Sequence, residues 1–88
     1  MIYVDEIRTI PRVLGSAKRY GNSWSHLWSD SDIEELHKLA EKIGLKRSYF
    51  QNKPSFPHYD VIPSKRTLAL KYGAQYMSLK DWIKSHRK

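Results

Sequence analysis

The sequence predicts an α/β fold, with a small, three- to four-stranded, largely parallel sheet and about three helices. Short β-branched and aromatic runs alternate with stretches whose apolar residues recur at helical spacing. Two hydroxyl-x-x-acid signatures, Ser31 with Glu34 and Ser78 with Asp81, mark helix starts, and Gly44 and Gly73 mark helix stops. The expected order is strand, long loop, helix, strand, extended segment, helix, strand, helix, in a single domain covering residues 1–88.

Residues 2–5, opening on Ile2-Tyr3-Val4, read as a strand central in the sheet. Asp5 falls at its carboxyl end, where ligands sit in open α/β sheets, although a turn-capping role fits as well. Residues 8–23 hold Pro11, Gly15, Gly21 and the basic Arg8, Arg12, Lys18 and Arg19 with little periodicity, which predicts a mobile basic loop. The first helix is expected over 32–43, with Ile33, Leu36, Ala40 and Ile43 on one face and His37 at the border of that stripe. A second strand is expected within 45–51. Pro57 and Pro63 then bracket an extended segment, because the residue before proline is biased away from helix. Pro63 opens the second helix, Ala74 to Met77 reads as a short strand, and Leu79, Trp82, Ile83 and His86 share one side of the last helix.

Cysteine is absent, so disulfides and thiolate-bound zinc are excluded. No apolar run reaches the length that spans a bilayer, and no signal peptide is recognisable, so the expectation is a cytoplasmic protein without a membrane partner. The formal charge of +7 is uneven. Residues 1–60 are nearly balanced at +1, whereas residues 61–88 carry +6 with Asp81 as their one acid. Such a field attracts phosphates and other anions.

Two stretches concentrate the chemistry. Trp24-Ser25-His26-Leu27-Trp28, if extended, sets Trp24, His26 and Trp28 on one face, two aromatic platforms around a hydrogen-bonding ring. In His58-Tyr59-Asp60 the alternation of an extended chain puts His58 and Asp60 on a common face, where the carboxylate can orient the imidazole. The two stretches are expected to face each other across a small pocket. Core packing of the indoles and a structural histidine are the competing readings of the same residues.

The opening Met1-Ile2-Tyr3-Val4-Asp5, Trp24-Ser25-His26-Leu27 with Asp30, and Glu35-Leu36-His37 with Ala40 and Gly44 form a pattern. It continues through Arg47, Phe50-Gln51, His58-Tyr59-Asp60, Arg66, Ala69 and Gly73-Ala74. In these motifs the chain resembles an uncharacterised domain family of bacteria and their phages. The resemblance implies a small bacterial or phage protein and brings no activity with it.

The leading functional expectation is a non-catalytic pocket for a nucleotide or related phosphorylated ligand, with no metal and no cofactor. In a phage setting it would sequester a host nucleotide signal. Trp24, Trp28 or Phe50 would stack the base; His26, His37, Gln51, His58 and Asp60 would hydrogen-bond it; Arg47 or Arg66 would pair with phosphate. The second is a metal-dependent hydrolase or nuclease using Asp5, His26, His37, His58 and Asp60, although no H-E-x-x-H, P-loop or nucleophile-elbow motif occurs. The third is nucleic-acid binding through the basic C-terminal helices, with Tyr72 and Trp82 to stack. A homodimer or higher homo-oligomer through the strand around Tyr76 is also expected.

Overall fold

The computed structural model describes residues 1–9 and 23–85. Among these residues there are six strands: β1 (Ile2–Val4), β2 (Arg8–Thr9), β3 (Ser23–Ser29), β4 (Phe50–Gln51), β5 (His58–Val61) and β6 (Gln75–Tyr76). Three α-helices accompany them: α1 (Ile33–Lys42), α2 (Pro63–Lys71) and α3 (Leu79–Ser85), with a 3-10 turn at Arg47–Tyr49. Five strands run in the order β4-β5-β3-β1-β6, and β2 pairs with the start of β3.

The α/β class and the three helices agree with the sequence, but the sheet has five strands in line rather than three to four and is not largely parallel. Only β1 and β6 pair in parallel among the described strands; every other pair is antiparallel. The difference comes from β3. Its indole, hydroxyl and imidazole side chains obscure the hydrophobic alternation, yet Ser23–Ser29 is the longest strand and lies at the centre of the sheet. β3 runs antiparallel to both β1 and β5, its two neighbours at the centre of the sheet. The expected loop over 8–23 begins as β2 and ends inside β3, and residues 10–22 lie outside the described part.

Register assigns the two faces. Val4 pairs with Leu27, Leu27 with Tyr59, and Tyr59 with Phe50, so these side chains share one face. Leu36, Leu39 and Ala40 of α1, Ile43 beyond it and Ala69 of α2 pack onto that face and complete the core. On the opposite face Tyr3 pairs with Trp28, His26 with Asp60, and Gln51 with His58. There α3 docks through Trp82, whose ring lies 5.8 Å from Tyr3 and 5.4 Å from Trp28.

Local signals fix the helix ends. Asp32, rather than the expected Ser31, caps α1 by accepting from the Glu34 N–H at 2.9 Å. The Ser29 hydroxyl accepts from the N–H groups of Ser31 and Asp32, at 3.3 and 3.1 Å, and turns the chain out of β3. The Ser78 hydroxyl accepts from the Asp81 N–H as its signature requires. Gly44 adopts φ +87°, a left-handed conformation that glycine takes without steric cost, and Lys65 Nζ donates to the Ile43 carbonyl at 2.7 Å beside it.

Candidate metal centre

Antiparallel pairing of β3 with β5 sets His26 directly opposite Asp60. His58, two residues before Asp60, projects from the same face. The two chemistry-rich stretches are therefore neighbours in one sheet rather than opposed walls of a pocket. Their imidazoles lie edge to face with centroids 4.9 Å apart.

Asp5 stands one residue beyond β1 and is fully buried. Its carboxylate accepts from the His26 backbone N–H and from His26 Nδ1, both at 2.6 Å. The Asp5 N–H donates to the His26 carbonyl, and Arg66 Nε donates to the Asp5 carbonyl at 3.0 Å. The Arg66 guanidinium in turn lies over the Tyr76 ring. These contacts hold the carboxylate rigidly against one edge of the His26 ring.

His58 is oriented by a different acceptor. Its Nδ1 donates to the Phe56 carbonyl at 2.7 Å, and its ring stacks on Phe56 with centroids 4.9 Å apart. Its Nε2 lies 3.3 Å from Asp60 Oδ1.

Carboxylates and carbonyls only accept hydrogen bonds, so the neutral His26 ring carries its proton on Nδ1, whereas His58 faces an acceptor at each nitrogen, the contact to the Phe56 carbonyl being the shorter. The Nε2 of His26 is then free for another partner, while that of His58 faces Asp60 Oδ1. One ligand atom from each of His26, His58 and Asp60 lies within 4.8 Å of the others, the only such group of three among the described residues. Metal–nitrogen bonds of about 2.0–2.1 Å in tetrahedral geometry require ligand atoms roughly 3.3 Å apart. The His58–Asp60 pair already has that spacing; closing His26 onto the pair needs a shift of side chains.

Exposure and the ionised Asp60 suit an ion, while a proton on His58 competes with it. Side-chain exposure is 8% at His58, 22% at His26 and 44% at Asp60, so the cluster is rooted in the sheet and open on one side. Burial pushes the His58 pKa down, but the Asp60 carboxylate and the Phe56 carbonyl more than offset it, leaving the imidazole above its ordinary value. Hydrogen bonding to His58 holds Asp60 below the usual carboxylate range.

The other residues expected at the site are distributed elsewhere. His37 and Phe50 lie on the helix-covered face: His37 Nδ1 is 2.7 Å from the Tyr59 hydroxyl and its ring packs edge-on against Phe50. Arg47 is exposed and pairs with Glu34 at 3.6 Å. Gln51 is exposed beside His58 in register. Trp24 is half-buried opposite Arg8. Trp28 is 1% exposed against Phe56 and Trp82, so it offers no open platform for a base. Arg66 reaches the cluster only through the Asp5 carbonyl.

Phe56 is the participant that the sequence reading left out. A backbone acceptor carries no sequence signal of its own, although Pro57 after Phe56 marks the rigid approach to His58.

A family model described as a protein of unknown function (DUF4031) matches residues 2–88. No curated protein and no solved structure matches the chain. The chain belongs to the DUF4031 family.

Proposed function

We propose that this DUF4031 domain is a metal-dependent hydrolase whose divalent transition-metal ion is held by His26, His58 and Asp60. The observation that carries the reading is the orientation of both imidazoles through Nδ1, by Asp5 and by the Phe56 carbonyl. Metal-binding histidines are held in this way, the second ring nitrogen donating to a carboxylate or carbonyl. A histidine serving only the core needs no such arrangement beside a second histidine and an acid. Two imidazoles and one carboxylate suit zinc, iron or manganese rather than calcium or magnesium.

Three protein ligands leave coordination positions for water and substrate. A bound ion supplies Lewis acidity, lowering the pKa of its water to near neutrality. Hydrolysis there would join a water oxygen to the electrophilic centre as the bond to the leaving group breaks, with the water proton going to that group. Asp5 would act as a positioning residue, fixing the His26 ring through Nδ1 without touching the ion.

The test is metal content with function. Purified protein stripped with chelator is titrated with Co²⁺ and Zn²⁺, and hydrolysis of bis-p-nitrophenyl phosphate is followed in each form. One ion per chain, with hydrolysis that appears on loading and disappears in Asp60→Asn and His58→Gln, is the expected result. Substoichiometric uptake, or full uptake by His58→Gln, contradicts the assignment.

A further inference from the structure

Lys80 and Lys84, two of the bases in the C-terminal third, stand on α3 over the sheet face that carries the His–Asp cluster. A groove of about 570 Å³ is lined by Glu6, Arg8, Leu79, Lys80, Ile83 and Lys84. Glu6 follows Asp5 directly, and Arg8 lies opposite Trp24 in register, two residues along β3 from His26. At about 3.4 Å per strand residue, that separation is on the order of 7 Å. Lys80 and Lys84, one helical turn apart on α3, form the other wall. The Trp82 contacts place α3 on the same sheet face as the imidazoles.

Charge in the groove favours an anion. Arg8 pairs with Glu6 at 3.1 Å, whereas Lys80 and Lys84 have no acidic partner among the described residues. Ile83, 54% exposed, and Leu79 add an apolar surface between the cations. Cations tracking a groove with apolar surface between them suit a chain of phosphates carrying sugars and bases.

We propose that this groove binds a single strand of nucleic acid and presents the adjacent phosphodiester to the His26–His58–Asp60 centre. The inference rests on the metal centre proposed above and names its substrate class. In the step that follows, the water oxygen bonds to phosphorus, one P–O ester bond breaks, and the water proton passes to the released alkoxide.

Fluorescence anisotropy of a labelled oligothymidylate with the full chain, chelated and zinc-loaded, tests the groove. Three phosphate contacts predict a log–log salt slope of about −2. The Lys80→Ala/Lys84→Ala double variant is expected to bind about tenfold or more weakly at low salt, with the slope reduced to roughly −0.7. Salt-independent binding, unchanged affinity in the double variant, or preference for a mononucleotide or a duplex overturns the inference. Zinc content is read on the same samples. A chain that holds zinc and binds no strand overturns the groove alone; one that binds the strand and takes up no zinc overturns the centre.

Discussion

Asp5 joins two strands through a single carboxylate, receiving both the backbone N–H and the ring Nδ1 of His26. Replacing it by asparagine keeps the shape but removes the charge that fixes the ring. Competition with a chromophoric chelator is expected to show Asp5→Asn binding its ion about 10–100-fold more weakly, still one per chain. Tyr59 is the control on the opposite face. Tyr59→Phe deprives the buried His37 of its partner and is expected to cost about 1–3 kcal/mol in urea unfolding while leaving metal affinity unchanged. Burial raises the Tyr59 pKa above its ordinary value of 10.0. A raised folded-state value means that its contribution to stability is complete below the unfolded pKa and is lost as pH climbs through the folded one. Ultraviolet titration, compared with a Tyr59→Phe variant, should therefore find Tyr59 ionising above its ordinary value and together with unfolding. At this scale the sequence is only partly informative. The spacing of His58 and Asp60 is visible because alternation is local, whereas Asp5 and His26 are 21 positions apart and meet only through strand pairing.

At the scale of elements, the helices were legible and the central strand was not. α1, α2 and α3 lie where glycine stops, proline and hydroxyl signatures put them, because each signal acts within one turn. β3 has a core residue, Leu27, on one face and Trp28 buried on the other, so burial along it does not alternate cleanly. That pattern hides a strand covered on both sides, and with it the antiparallel pairing that brings His26 beside Asp60. The same locality explains the shift of the α1 cap by one residue, since Ser29 rather than Ser31 supplies the hydroxyl of the turn. Chemical denaturation should separate the two assignments: Asp32→Ala is expected to cost about 0.5–2 kcal/mol and Ser31→Ala no more than about 0.5 kcal/mol. Equal losses would restore the sequence-based cap.

Across the whole molecule, the sheet separates a structural face from a chemical one. Helices α1 and α2 seal the first; α3 covers only part of the second, leaving His26 and Asp60 partly open. The ten residues expected to surround one ligand divide between these faces, since sequence shows which side chains are chemically able and not which side of the sheet they take. No helix among the described residues is long and apolar enough to cross a membrane. An ion bound only by the folded chain stabilises it by about 2.7 kcal/mol at a hundredfold excess over Kd. A zinc-dependent rise in Tm that vanishes in Asp60→Asn is expected from calorimetry.

Nitrogen-detected NMR of the histidine rings, followed through a zinc titration at mildly alkaline pH, addresses the centre most directly. Metal-free protein should show His26 and His58 both protonated at Nδ1, and one equivalent of zinc should shift Nε2 of those two rings while His37 stays unchanged. Zinc-induced shifts at His37, or none at His26 and His58, would contradict the assignment.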